Sequence, residues 1–144
     1  PRCMAWVETQ DTPAAFRFHP VGLSDKTQTL TFFAPPEDDF VSYTVAQRTD
    51  SSEKVALKVK ALDEIMMDLH DTAIDYLKMD IEGSEYPALA DMIQKDILPA
   101  QLCVEFHHGM FGYTKAQTQE AVRKLQTAGY KIFYVSNGGR EYGF

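Results

Sequence analysis

The sequence contains few of the residues that disulfide-rich, metal-finger or nucleic-acid-binding proteins require. Its 144 residues include two cysteines, Cys3 and Cys103, whose spacing matches neither a metal site nor a redox motif. Lys and Arg number 14 against 21 Asp and Glu, and the net charge of −7 argues against a nucleic-acid backbone as the partner. No apolar run approaches the roughly 20 residues of a transmembrane helix. We therefore expect a soluble, cytoplasmic chain with no nucleic-acid or membrane partner, forming a single domain over residues 1–144.

Short apolar runs alternate with helical patterns along most of the chain. Strands are predicted at residues 16–23, 30–33, 55–59, 75–81, 102–106 and 132–135, and helices at residues 62–69, 84–97 and 114–128. The first two strands are expected to form a hairpin, and Asn137-Gly138-Gly139 predicts another hairpin turn. Residues 35–53, rich in Pro, Asp and Ser, are predicted to form a long loop. This order indicates an α/β fold with a mainly parallel sheet and an antiparallel C-terminal hairpin.

Residues 75–85 read Asp-Tyr-Leu-Lys-Met-Asp-Ile-Glu-Gly-Ser-Glu, and the rest of the fold is expected to be arranged around them. The apolar run predicts a central strand that is covered on both faces. Gly83 permits a sharp turn, and Ser84 is a suitable N-cap for the helix that follows. Ligands of open α/β sheets bind beyond the carboxyl ends of the strands, where Asp80 and Glu82 fall. Both side chains are expected on one side of the extended chain, as candidates for acid–base chemistry.

The next predicted strand ends in a second polar group, formed by Glu105, His107 and His108. Alternation along a strand places Glu105 and His107 on one side and His108 on the other. Together with Asp80 and Glu82, this group would either line a catalytic crevice with a histidine base or hold a divalent metal. The alternative is a surface histidine pair beside a buried, paired Glu105. We favour a lining role and assign no metal ligands.

At residues 78–85 the sequence Lys-Met-Asp-Ile-Glu-Gly-Ser-Glu resembles the hallmark segment of the FkbM-type methyltransferases, which use S-adenosyl-L-methionine. Shorter segments are similar to that family in the same order, and they lie at residues 21–25, 59–63, 102–106 and 128–133. The resemblance extends from about residue 16 to the end of the chain. It implies a Rossmann-like methyltransferase sandwich.

One part of the family's pattern is absent from this sequence. The family binds its cofactor mainly through its first two strands, which contain a glycine-rich turn, whereas no such turn precedes residue 21 here. The resemblance therefore implies a partial methyltransferase domain whose first two strands are missing. Either the start of the domain is absent from this sequence, or another chain, such as a second copy in a homo-oligomer, or a rearranged packing fills the gap. It also implies that Gly22, Leu23, Ser24 and Asp25 approach the adenine of the cofactor. An ordinary hairpin turn is the alternative for these four residues.

The activity implied by the resemblance is O-methylation of a small-molecule or sugar acceptor. Asp80 and Glu82 would position or deprotonate the acceptor, with His107 in support. The simpler alternative is that both carboxylates bind the turn amides or pair with Lys78. Two other functions stay open: an inactive fragment or binding module with the same fold, and a metal-dependent hydrolase that uses Asp80, Glu82, His107 and Glu105.

Overall fold

The computed structural model of the protein describes residues 2–34, 43–45 and 54–144. The elements in these residues, in chain order, are α1 (Arg2–Glu8), β1 (Gly22–Leu23), β2 (Gln28–Phe33), β3 (Lys54–Lys60), α2 (Leu62–Leu69), β4 (Tyr76–Met79), α3 (Glu85–Gln94), β5 (Gln101–Glu105), α4 (Lys115–Thr127), β6 (Tyr134–Val135) and β7 (Glu141–Gly143). The predicted loop at 35–53 lies outside the described residues except at 43–45. The chain is α/β with mixed sheets, which is consistent with a Rossmann-like fold.

The first sheet has the strand order β1-β3-β2. β1 is parallel to β3, and β2 is antiparallel to β3 over six residue pairs. The predicted hairpin between strands 16–23 and 30–33 is therefore wrong, because β3 lies between them. Phe16 and Phe18 are exposed and precede the two-residue strand β1, since Pro20 supplies no N–H group for a longer ladder.

The second sheet has the strand order β4-β5-β7-β6, with β4 parallel to β5 and the other two ladders antiparallel. The predicted C-terminal hairpin is confirmed by the pairing of β6 with β7. In the described part of the chain β4 is an edge strand, and Tyr76 is 54% exposed. In the described residues the predicted central strand, covered on both faces, is wrong, because β4 pairs with β5 alone and its Tyr76 and Lys78 side chains are exposed. Each of the two described sheets contains one parallel ladder, and the mainly parallel arrangement stays a prediction.

Helices α3 and α4 pack on the second sheet and enclose the main apolar core. Each of its buried side chains contributes about 1.5–3 kcal/mol. The core comprises Leu62, Met79, Ala88, Leu89, Met92, Leu102, Val104, Phe106, Val122, Leu125 and Phe144. Helix α3 ends at Gln94, three residues before the predicted end, because Asp96 adopts a left-handed φ of 57°. Among the described residues, no helix is long and apolar enough to cross a membrane.

Helix α4 begins with a capping box, which is the basis of a first prediction. The Thr114 Oγ1 atom accepts a 3.3 Å bond from the Gln117 backbone N–H, and the Gln117 side chain accepts a 2.8 Å bond from the Thr114 N–H. Thr114→Ala is expected to lower the free energy of unfolding by about 1 kcal/mol, because one helix N–H loses its acceptor. Denaturant unfolding measures this change. Thr114→Ser should retain most of the stability; an equal loss in both variants would contradict the capping role.

Candidate functional site

The turn after β4 brings two carboxylates to one place. Asp80 follows the strand directly, whereas Glu82 has a left-handed φ of 53° and Gly83 a φ of 102°. The side chains of Asp80 and Glu82 were predicted to lie on one side of an extended chain. The chain is not extended at Glu82, so strand alternation does not place them. The turn nevertheless directs both carboxylates towards His107, as the distances given below show. Each carboxylate stays accessible, with the side chains 43% and 24% exposed.

Glu85, in the first turn of α3, is a fully buried carboxylate at 0% exposure. Its Oε1 atom accepts a 2.9 Å hydrogen bond from the Ile81 N–H, and its Oε2 atom accepts a 3.0 Å bond from the Gly83 N–H. It thereby holds both sides of the turn that presents Asp80 and Glu82. No role was predicted for Glu85 from the sequence. The available signal was a third carboxylate in the 78–85 segment, next to a glycine turn whose N–H groups need acceptors.

His107 lies beneath this turn and is 5% exposed. Its Nδ1 atom is 2.9 Å from Glu85 Oε1, an ion pair by distance without the alignment of a hydrogen bond. Its Nε2 atom is 3.6 Å from Glu82 Oε2 and 3.8 Å from Asp80 Oδ1. The interaction with Glu85 raises the pKa of His107 above its ordinary value, while burial opposes that rise. The structure thus brings together all three predicted catalytic residues, whose roles remain predictions.

Glu105 is the last residue of β5 and lies near Asp80 and His107. One donor atom from each of Asp80, Glu105 and His107 lies within 4.8 Å of the other two. Burial is the main cause that raises the pKa of Glu105, and the negative charge of Asp80 adds to it. Lys78 Nζ is 3.6 Å from Asp80 Oδ2, with both side chains about half exposed. Such a pair contributes at most about 1 kcal/mol, so it leaves Asp80 free to bind another partner.

His108 faces away from the carboxylates, as the alternation predicts. Its Nδ1 atom is 3.2 Å from Thr118 Oγ1 on α4, and Tyr86 Oη is 2.9 Å from the same hydroxyl. Burial lowers the pKa of His108 below its ordinary value. Because His107 and His108 are both buried, the alternative of a surface histidine pair is wrong.

The four predicted cofactor-binding residues lie at and after β1. An added Cβ on Gly22 would be 2.9 Å from Val59 Cγ1, so the close approach of β1 to β3 requires glycine. Ser24 is buried, its N–H donates to the Lys60 carbonyl, and its hydroxyl donates to Asp25 Oδ1 at 3.0 Å. Leu23 packs against the main core. Cofactor binding by Gly22–Asp25 remains a prediction.

Two further residues connect this region to the carboxylate turn. Burial is the main cause that raises the pKa of Tyr113, and the negative charges of Glu85 and Asp25 raise it further. Thr44 is 2% exposed and its hydroxyl donates a 3.2 Å hydrogen bond to the Glu82 carbonyl. Thr44 also pairs with Phe33 at the end of β2. Neither link was predicted, because each joins segments that are distant in the sequence.

A protein-family model described as "Methyltransferase FkbM domain" matches residues 7–132. The comparison with curated proteins found no match, and neither did the comparison with solved structures. The matched region includes the carboxylate turn, Glu85, Glu105 and His107.

Proposed function

Because the chain belongs to the FkbM methyltransferase family, we propose that it transfers a methyl group from S-adenosyl-L-methionine to an oxygen atom of a small molecule or sugar. The observation that best supports a reactive centre is the convergence of Asp80 and Glu82 on a buried imidazole. The Nε2 atom of His107 is 3.8 Å from the first carboxylate and 3.6 Å from the second. This group follows the ends of the parallel strands β4 and β5, where ligands of α/β sheets bind.

The reaction requires a nucleophilic oxygen and a place for its proton. S-adenosyl-L-methionine supplies a methyl group on sulfonium sulfur: the acceptor oxygen forms a bond to that carbon and the carbon–sulfur bond breaks, leaving S-adenosyl-L-homocysteine. Since the methyl group is already activated, positioning of the acceptor supplies much of the rate. We assign acceptance of the hydroxyl proton to Asp80, the most accessible of the three groups, and orientation of the acceptor to Glu82.

His107 is assigned a supporting role rather than that of the base. Its interaction with Glu85 and the nearby carboxylates favours the protonated form, which cannot accept another proton. A cationic imidazole would instead hold Asp80 and Glu82 close together, because its positive charge offsets the repulsion between the two carboxylates. Gly22–Asp25 would hold the cofactor, since Leu23 packs against the main core that also contains Met79 of β4 and Val104 of β5.

A methyl-transfer assay tests the proposal and gives a second prediction. The chain is incubated with S-adenosyl-L-methionine carrying a labelled methyl group and a panel of sugars and small hydroxyl compounds. We expect label in an ether product, and Asp80→Asn should reduce the rate about 100-fold, because the amide cannot accept the proton. Asp71→Asn, a matched change at an exposed position after α2, should leave the rate unchanged.

Calorimetry with S-adenosyl-L-homocysteine separates the remaining outcomes. A folded chain that binds this ligand yet labels no acceptor would favour the inactive binding module. A folded chain that neither binds it nor labels any acceptor would overturn the proposed function. An unchanged rate in Asp80→Asn would overturn the assignment of the base alone.

A further inference from the structure

Three side chains at the ends of β4 and β5 present one donor atom each to a common point. Asp80 and Glu105 offer carboxylate oxygens and His107 offers an imidazole nitrogen, and the three atoms lie within 4.8 Å of one another. A cation with ligand bonds of about 2.0–2.2 Å accepts donors separated by up to about 4 Å. The limit of 4.8 Å exceeds that range by less than about 1 Å, and the side chain of Asp80, which is 43% exposed, can rotate towards the other two.

The second observation is the setting of His107, whose two imidazole nitrogens both face carboxylates. His107 is 5% exposed, its Nδ1 side is occupied by Glu85, and its Nε2 atom is directed at the carboxylates. Nε2 lies 3.6 Å from Glu82 Oε2 and 3.8 Å from Asp80 Oδ1, too far for hydrogen bonds, whereas the imidazole atom that is buried without a hydrogen-bond partner is Nδ1. An imidazole whose second nitrogen is held by a carboxylate is the usual arrangement of a metal ligand.

We propose that Asp80, Glu105 and His107 bind a divalent cation of the first transition row. One nitrogen and two carboxylate oxygens suit Mn²⁺, Fe²⁺ or Zn²⁺, whereas Mg²⁺ and Ca²⁺ prefer oxygen ligands alone. Glu85 holds the imidazole with Nε2 towards the site, and the exposed side of Asp80 provides the route of entry. Lys78 competes for Asp80 only through a half-exposed 3.6 Å contact, which a cation readily displaces.

The binding site stands on geometry alone, whereas its part in the reaction rests on the proposed function. A bound cation would hold the acceptor hydroxyl and lower its pKa. In the cation-bound protein His107 would bind as the neutral imidazole, because the cation displaces its Nε2 proton. Asp80 would then be a ligand and no longer the base, and the proton of the hydroxyl would pass to Glu82, which is outside the donor set and 3.6 Å from His107 Nε2. Binding is therefore tested without cofactor or acceptor, so that failure of the metal site and failure of methyl transfer are separate results.

The experiment uses the chain after EDTA treatment and dialysis, titrated with Mn²⁺ and followed by the paramagnetic resonance signal of the free ion. We expect one site that saturates below 1 mM, and Mg²⁺ should displace Mn²⁺ only at an excess of at least about tenfold. Glu105→Gln should weaken Mn²⁺ binding about 10- to 100-fold, because one ligand loses its charge. Glu120→Gln, the same change on the far helix α4, should bind as the wild type does.

A second variant, Asp80→Asn, tests the site even if Glu105→Gln does not fold. Asp80→Asn changes an accessible side chain, so its circular dichroism should match the wild type while its affinity for Mn²⁺ falls by at least about tenfold. Retention of wild-type affinity in both variants would overturn the site. So would the absence of Mn²⁺ binding at 1 mM in the folded wild-type chain.

Discussion

Replacing Glu85 by alanine is expected to lower the free energy of unfolding by about 3–5 kcal/mol. The glutamate is fully buried and accepts from the N–H groups of Ile81 and Gly83. It is also 2.9 Å from the imidazole of His107, which is itself buried. Alanine would leave two N–H groups of the turn without acceptors and the imidazole without its charge partner. Denaturant unfolding of wild type and variant measures the difference.

Two further variants identify the cause of that loss. Glu85→Gln keeps the shape but removes the charge, so the loss should be smaller, and the pKa of His107, followed by NMR on the metal-free protein, should fall. Glu120→Ala removes an exposed glutamate paired with Arg123 and should change stability by less than about 1 kcal/mol. A loss in Glu85→Ala no larger than in Glu120→Ala would show that Glu85 does not hold the turn.

Gly83→Ala is expected to lower the free energy of unfolding by about 2–4 kcal/mol. The φ of 102° is a conformation that residues with a Cβ rarely adopt, at a cost of about 1–3 kcal/mol. The added Cβ would also lie 2.9 Å from Phe111 Cδ2, so the ring must move. That ring packs beside His107, at 5.8 Å between centroids, and its displacement should disturb the site. Thermal or denaturant unfolding checks the change in stability.

The structure provides a matched control for this substitution. Gly112 has a comparable φ of 83°, but an added Cβ there would meet no atom within 4 Å. Gly112→Ala should therefore show the backbone strain alone, about 1–2 kcal/mol. In Gly83→Ala/Phe111→Ala the contact is absent, so the combined loss should be smaller than the sum of the two single losses. Equal losses at Gly83 and Gly112 would contradict the contact with Phe111.

Several features of the fold and the site depend on local residues and were predictable for that reason. Helices α2 and α4 follow from apolar spacing, and the capping box of α4 from Thr114 and Gln117. The C-terminal hairpin follows from the Asn-Gly-Gly turn. The 78–85 segment indicated the FkbM family, which the match over residues 7–132 confirms. It also indicated where Asp80 and Glu82 lie, at the end of a strand.

Other features required the tertiary structure, because they join residues that are distant in the sequence. Strand pairing is one example, because an apolar run does not specify which strand lies beside it. The position of β3 between β1 and β2 was therefore not predicted, and neither was the edge position of β4. The convergence on His107 is another, since it depends on the left-handed φ of Glu82 and not on strand alternation. The residues 78–85 thus determine which carboxylates are present. The folded turn decides where they point, because the buried Glu85 must find partners in the core and accepts from the Ile81 and Gly83 N–H groups.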